Sequence, residues 1–130
     1  MTTVKADDTL HAVATALDSQ RIGAVVALDD GDHIIGVVSE RDVVRHLARQ
    51  AGDAVDITVR EAMTRDVITA APGETVETCL ERMTDRRVRH LPVVNAGDLD
   101  GLVSIGDLVK WKIAETEAES NALKAYVSSG

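Results

Sequence analysis

The chain has 130 residues, 45% of them apolar and only 2% aromatic, and its formal net charge is −8. The acidic charge argues against a broad interface with a nucleic-acid backbone, and the scarcity of aromatic rings argues against stacking of single-stranded bases. A single cysteine excludes an internal disulfide, and no apolar run reaches the roughly 18 residues of a membrane helix. We therefore expect one soluble, cytoplasmic unit.

The first predicted elements follow the order strand, helix, strand, strand, helix. Residues 2–4 form a short strand fragment, and a helix over about residues 10–19 begins after Asp8 or Thr9, either of which can cap it. The β-branched run 23–28 predicts a buried strand, and residues 34–38 follow a turn as its hairpin partner. The next helix is predicted to start at Ser39.

The same order returns after a linker at residues 52–59. Thr58-x-x-Glu61 is typical of a capping box that opens a short helix through Met63. We then expect a strand at 67–69, a helix over about 76–85, strands at 90–94 and 102–103, and a helix from Ser104. That helix is predicted to run long, with an apolar stripe that a partner must bury. The stripe comprises Leu108, Trp111, Ile113 or Ala114, Ala118, Ala122, Leu123 and Tyr126.

Residues 22–45 and 88–110 are two copies of one pattern. Each copy has a β-branched strand, a turn, a glycine with two apolar residues, and Ser-x-x-Asp. Because a unit of about 60 residues is marginally stable alone, the copies should share one interface. We predict an α/β fold of two β-α-β-β-α repeats, at residues 1–51 and 64–112. Residues 52–63 join them, and residues 113–130 form a helical extension.

The Ser-x-x-Asp motifs have two interpretations. A serine before a helix, with an acid three residues later, is a helix cap, and the acid is favourable at the positive end of the helix dipole. A carboxylate at this place can also accept hydrogen bonds from the two vicinal hydroxyls of a ribose. Taken from the residues alone, capping is the favoured role of Ser39 with Asp42 and of Ser104 with Asp107.

The doubled pattern resembles the CBS domain, and the tandem resembles a Bateman module. The resemblance covers residues 2–112. Within it, the chain is similar to small stand-alone bacterial CBS-pair proteins. It implies two repeats packed about a pseudo-two-fold axis, with an adenosine-containing ligand in the clefts between them. The segments that carry it are Ser39-Glu40-Arg41-Asp42, Met63-Thr64-Arg65-Asp66, Arg89-His90-Leu91-Pro92-Val93-Val94 and Ser104-Ile105-Gly106-Asp107.

The resemblance also implies which residues bind the ligand. Both motifs would meet the ribose or the phosphate in addition to capping, through Ser39, Asp42, Ser104 and above all Asp107. Arg89 and His90 would reach the phosphate, and Arg41 would face the same cleft. Since the first copy has Gly23-Ala24 in place of Arg89-His90, the two clefts are predicted to differ. Aliphatic walls and strand ends would hold the adenine, at Thr3, Ala24, Val25, Thr69, Leu91, Pro92 and Ile105.

Several other candidates have a structural explanation. Arg82, Arg86 and Arg87 lie near the end of a predicted helix, where cations are favourable. Cys79 lies on an apolar helical face and is expected to be a small core residue. The histidines lack the spacing of metal ligands, and no Walker loop, dinucleotide fingerprint or nucleophile–base motif is present.

We therefore expect a regulatory module without catalysis. Its ligand is predicted to be AMP, followed by ATP or ADP, NAD(H) and S-adenosylmethionine, and ligand binding would shift populations that a separate regulated protein senses. A homodimer with contacts through the last helix is expected, and neither nucleic acid nor membrane is a predicted partner. The alternatives are a ligand-free structural or protein-interaction module and an enzyme such as a nucleotide hydrolase.

Overall fold

The computed structural model describes residues 2–49 and 56–116. A helix over 105–116, named α5 here, follows the last strand directly. The order of elements confirms the predicted α/β fold of two repeats, and the helices after the two motif serines begin one residue later than predicted. The elements are β1 (Thr3–Lys5), α1 (Leu10–Gln20), β2 (Ala24–Leu28), β3 (Ile34–Ser39), α2 (Glu40–Arg49), α3 (Val59–Ala62), α4 (Val76–Arg86), β4 (His90–Asn95) and β5 (Asp98–Ser104).

Repeat 1 is built on a three-stranded sheet in the order β1-β2-β3. β1 runs parallel to β2, with Val4 opposite Ala27, and β2 runs antiparallel to β3, with Val25 opposite Val38. Every residue of β2 is buried, which agrees with its uninterrupted apolar sequence. The apolar face of α1 joins the same buried cluster.

Repeat 2 has an antiparallel sheet of β4 and β5, and the strand predicted at residues 67–69 is wrong. Instead, Ala70 forms a parallel bridge with Val93. The Ala70 N–H donates to the Pro92 carbonyl at 2.9 Å, and the Ala70 carbonyl accepts from the Val94 N–H at 2.8 Å. The next bond of a parallel ladder would run from the N–H of residue 92 to the carbonyl of residue 68. Proline has no N–H, so the ladder ends after one residue.

The helices α1 and α4 begin and end at the same kinds of residue in the two repeats. Thr9 caps α1 and Thr75 caps α4, and each side chain accepts a hydrogen bond of 3.1 Å from the N–H three residues later. Each helix ends at an arginine in the left-handed conformation, Arg21 with φ 54° and Arg87 with φ 56°. The capping box predicted before α3 is present, and Cys79 is a buried core residue as predicted.

The described part of α5 contains only the first residues of the predicted apolar stripe. Leu108 is buried, whereas Trp111 and Ile113 are 69% and 54% exposed. The rest of the stripe lies within residues 117–130, outside the described residues. No helix in the described ranges is long and apolar enough to cross a membrane.

Candidate functional site: a cationic cleft between the repeats

Both repeats line one continuous cleft of about 600 Å³. Repeat 1 contributes the end of β3 and the first turns of α2. Repeat 2 contributes residues 64 and 66–68, the end of α4, the start of β4 and the junction of β5 with α5. Residues of both Ser-x-x-Asp motifs therefore meet in one cavity within the described residues. The polar and charged lining residues are Ser39, Glu40, Arg41, Asp42, Arg45, Thr64, Asp66, Arg86, Arg87, Arg89, His90 and Ser104.

In repeat 1 the motif closes a small ring of hydrogen bonds. The N–H and Oγ of Ser39 donate to Asp42 Oδ2 at 2.9 and 3.1 Å, and the Asp42 N–H donates to Ser39 Oγ at 3.3 Å. This geometry confirms the predicted cap. Asp42 is only 6% exposed, and its second oxygen, Oδ1, has Arg45 Nη1 at 3.5 Å. A contact of that length is weak, so Oδ1 retains most of its capacity to accept hydrogen bonds.

In repeat 2 the same cap is more open to solvent. The Ser104 N–H donates to Asp107 Oδ2 at 3.1 Å, and the Asp107 N–H donates to Ser104 Oγ at 3.1 Å. The hydrogen bond from the Ser104 backbone lowers the pKa of Asp107 below its ordinary value. Asp107 is exposed and lies outside the residues that line the cleft. The family resemblance favoured Asp107 for a binding role, whereas the structure places Asp42 at the cavity.

Four arginines at the cleft form no ion pair within residues 2–49 and 56–116: Arg41, Arg86, Arg87 and Arg89. Arg86 and Arg87 end α4, and Arg89 directly precedes β4. The Arg89 carbonyl accepts the Ile105 N–H at 2.8 Å, which fixes this backbone to the start of α5. With Arg45, the arginines of the lining outnumber its three carboxylates. The cleft is therefore cationic in a chain whose net charge is −8.

His90 lies where the two repeats approach each other. A Cβ on Gly23 would lie 3.4 Å from His90 Nε2 and 4.0 Å from Glu40 Oε1, so the imidazole packs beside this glycine of repeat 1. Burial lowers the pKa of His90, while the carboxylates of Asp107, Glu40 and Asp42 oppose that effect. The ring is therefore mostly neutral at neutral pH, with one nitrogen that donates and one that accepts.

The predicted site residues divide between the cleft and other parts of the fold. Those at the cleft are Ser39, Arg41, Asp42, Arg89, His90, Ser104 and Ile105. The predicted adenine walls on β2 and β4 are instead in the interior. Val25 and Leu91 belong to the buried clusters of their repeats, and Ala24 and Pro92 are buried outside those clusters. Each of them is exposed by 2% or less: Ala24, Val25, Leu91 and Pro92. Thr3 and Thr69 are exposed outside the lining, and the Thr69 carbonyl accepts Arg82 Nη1 at 2.9 Å.

Sequence reasoning missed some residues of the cleft. Glu40 and Arg45 on α2 were not predicted, although Arg45 follows Asp42 at the spacing of neighbours on a helix. The helix-end explanation of Arg86 and Arg87 is incomplete, because both also line the cavity. In the part of the chain that is described, no three acidic, histidine or cysteine side chains gather as a metal site.

The fold and the cleft define a duplicated α/β module. Two repeats with the same order of elements each end a hairpin in a capped Ser-x-x-Asp turn, and a cationic cavity lies between them. The CBS domain family matches residues 1–49 and 59–114. The chain belongs to the CBS domain family.

Individual relatives agree with this assignment. A mitochondrial CBS domain-containing protein of Arabidopsis thaliana is 32% identical over 128 residues, which are 95% of this chain and 62% of that protein. The chain thus spans less than two thirds of the length of this and comparable curated relatives.

Solved structures give the same result. A CBS-domain containing protein from Agrobacterium tumefaciens is 37% identical with a TM-score of 0.80, over 85% of this chain and 82% of that one. A CBS domain protein from Pyrobaculum aerophilum, solved in complex with AMP, is 30% identical with a TM-score of 0.72, over 82% of this chain and 83% of that one.

Proposed function

We propose that this chain is a cytoplasmic regulatory module that binds an adenosine nucleotide, with AMP as the first choice, in the cleft between its repeats. The observation that carries the proposal is the set of arginines without ion pairs beside the buried carboxylate of Asp42. Nucleotide binding favours one relative orientation of the repeats, and a separate regulated protein senses it. The module performs no catalysis.

Asp42 is the proposed acceptor for the ribose hydroxyls. Its Oδ2 is fixed by Ser39, while Oδ1 has only the 3.5 Å contact with Arg45. A carboxylate fixed in this way needs little reorganisation to accept two vicinal hydroxyls, and a hydrogen bond to a charged group contributes about 1.5–3 kcal/mol. Apolar side chains of the lining would cover the adenine, namely Val37, Val67, Ile68, Val88 and Ile105.

Arg89 and His90 are the proposed phosphate contacts. A guanidinium binds phosphate through paired, charge-assisted hydrogen bonds, and Arg89 has no ion pair to break first among the described residues. His90 packs at the junction of the two repeats, so an anion that meets its N–H would touch both halves of the module. The AMP bound to the Pyrobaculum aerophilum relative supports this ligand class. ATP, ADP, NAD(H) and S-adenosylmethionine share the adenosine group and are the other candidate ligands.

A ligand-free interaction module is the second candidate. The observation that favours it is the closure of both Ser-x-x-Asp turns, whose serine and aspartate already satisfy each other as helix caps. In that case neither aspartate needs a ligand.

We also propose that the module is a homodimer. α5 exposes Val109, Trp111 and Ile113, and α2 exposes Val44 and Leu47. An apolar helix face of this kind is normally covered, and a second copy of the chain would bury it. Sedimentation equilibrium would return a monomer mass if this is incorrect.

The nucleotide proposal is tested by titrating the chain with AMP and adenosine in a calorimeter. We expect Arg89→Ala to weaken the affinity for AMP by about 10- to 100-fold, because one charge-assisted contact is lost. The affinity for adenosine, which lacks the phosphate, should change by less than about twofold. Arg49→Ala is the matched control, since Arg49 is an exposed arginine outside the cleft.

Two outcomes would count against the proposal. Equal losses for AMP and adenosine would remove Arg89 from the phosphate site. Thermal unfolding without a shift in AMP, ATP or NAD would favour the ligand-free module, because a ligand at a hundred times its Kd stabilises the native state by about 2.7 kcal/mol.

A further inference from the structure

His90 is the one histidine of the described residues that lines the cleft. Its backbone is fixed, because His90 pairs with Ser104 across β4 and β5, and the carbonyl just before it accepts the Ile105 N–H. The imidazole forms no hydrogen bond within residues 2–49 and 56–116, and neither ring nitrogen is sealed from solvent. Both nitrogens are therefore available to a molecule that enters the cleft.

Charged groups act on this ring from both repeats. Repeat 1 contributes the carboxylates of Glu40 and Asp42 on α2, and repeat 2 contributes Asp107 on α5 and the adjoining Arg89. Burial outweighs the three carboxylates and lowers the pKa of His90 below its ordinary value of 6.5. The other charged side chains that line the cleft are Arg41, Arg45, Asp66, Arg86 and Arg87.

The equivalent position of repeat 1 holds no titrating group. Gly23 and Ala24 occupy the places of Arg89 and His90, and Ala24 is buried. The missing side chain of Gly23 gives the imidazole its room, since a Cβ there would lie 3.4 Å from His90 Nε2. A single titrating ring thus lies at the junction of the repeats within the described residues.

A phosphate beside His90 would reverse the balance of forces on the ring. An opposite charge within about 4–6 Å favours the charged form of a group and shifts its pKa by about 1–3 units. The phosphate would therefore raise the pKa of His90, and the ring would take up a proton from solvent on binding. Linkage is reciprocal, so the proton must strengthen phosphate binding by the same factor.

We propose that His90 is a proton switch of the nucleotide site, in which the phosphate of the bound nucleotide and a proton on the imidazole stabilise each other. The inference rests on the proposed function and assigns a form of regulation to the same site. Because binding takes up protons, the affinity for the nucleotide rises as the pH falls toward the range in which free histidine titrates. The module thus responds to nucleotide and proton concentration together.

Calorimetric titration with AMP, in two buffers of different ionisation enthalpy, measures the protons taken up on binding. We expect uptake of about half a proton or more at about pH 7, and an affinity about three- to tenfold weaker at about pH 8.5 than at about pH 6.5. In this range AMP keeps most of its second phosphate charge, because a phosphate monoester has its second pKa at about 6. Adenosine, which lacks the phosphate, should bind without proton uptake.

His90→Gln keeps a side chain of similar size that donates a hydrogen bond but cannot take up a proton near neutral pH. It should bind AMP within about twofold of the wild type at about pH 8.5, and about three- to tenfold more weakly at about pH 6.5. A side chain that only packs would lower the affinity equally at both pH values. His11→Gln is the matched control, because His11 is an exposed histidine of α1 outside the lining.

NMR titration of the imidazole resonances tests the same switch in the wild-type chain and needs no variant. We expect AMP to raise the pKa of His90 by about one unit or more, with the histidines outside the cleft as internal references.

The outcomes separate this proposal from the proposed function. AMP binding without proton uptake, or uptake that persists in His90→Gln, would overturn the proton switch and leave the nucleotide site in place. A pKa of His90 that AMP does not raise would overturn the switch as well. Absence of AMP binding at both pH values would overturn the proposed function, and the switch together with it.

Discussion

The two repeats share their order of elements, but they bury different amounts of apolar surface. Among the described residues, eleven side chains form the buried cluster of repeat 1 and five form that of repeat 2. Three of the eleven, Ile57, Val59 and Ala62, lie in the linker and α3. The segment between the copies thus completes the core of the first repeat, and no equivalent segment packs on the second within residues 2–49 and 56–116. Duplication of a sequence therefore does not produce two equal halves.

In repeat 1 the first strand, β1, is held by its ladder of backbone hydrogen bonds with β2. In repeat 2 the corresponding segment is held mainly by side-chain hydrogen bonds. Arg82 Nη1 donates to the Thr69 carbonyl at 2.9 Å and to Glu74 Oε1 at 3.0 Å, and Arg82 Nη2 donates to Glu74 Oε2 at 2.5 Å. The residue at the equivalent position of α1 is Ala16, which has no such function. Arg82 thus fixes the chain where Pro92 has ended the ladder.

The largest effect is expected from truncating the equivalent core valines Val38 and Val103. Val38 is fully buried, whereas Val103 is only partly buried. Val38→Ala should lower the free energy of unfolding by about 1.5–3 kcal/mol, and Val103→Ala by less than half as much, because less apolar surface returns to water. Urea denaturation measures both. Equal losses would mean that repeat 2 is as well covered as repeat 1.

The next effect concerns the two motif aspartates. We expect Asp42→Asn to weaken AMP binding by about tenfold or more, because a charged acceptor beside the cleft is lost. Asp107→Asn should change the affinity by less than about twofold, since Asp107 lies outside the lining. Calorimetry measures the affinity of each variant for AMP, and the two affinities are compared with that of the wild type. A larger loss in Asp107→Asn would restore the assignment that the family resemblance implied.

The smallest effect is expected from the ion pair between Arg82 and Glu74, which the described part of repeat 1 lacks. The hydrogen bond from Arg82 lowers the pKa of Glu74 from 4.5 to about 2. A depressed carboxyl pKa stabilises the native state above the unfolded value and loses that contribution as the pH falls. Glu74→Gln should therefore reduce stability at neutral pH, and its difference from wild type should shrink between about pH 4.5 and about pH 2.

Urea denaturation across that pH range tests this prediction, and Arg82→Gln is its companion variant. Glu74→Gln and Arg82→Gln should each remove the same pH-dependent part of the wild-type stability. A constant difference between wild type and Glu74→Gln would show that the carboxylate contributes through packing alone.

Most of the fold could be predicted because its signals are local. Thr9 and Thr75 cap helices through the N–H three residues away, and β2 is buried throughout as its unbroken apolar run predicts. The strand at residues 67–69 was wrong because its pairing depends on Pro92, which is distant in sequence. A short strand exists only if its partner offers hydrogen bonds, and its own residues do not reveal that.

The candidate site shows the same division. By itself the sequence determined the duplication, the caps at Ser39 and Ser104, and the cluster around Arg89, because repetition and spacing along the chain encode them. Only the tertiary structure decided that Asp42 lies at the cleft while Asp107 lies outside it. It also decided that residues 57–64 cover repeat 1 and not repeat 2. Two copies of one motif acquire different surroundings when a single connecting segment packs on only one of them.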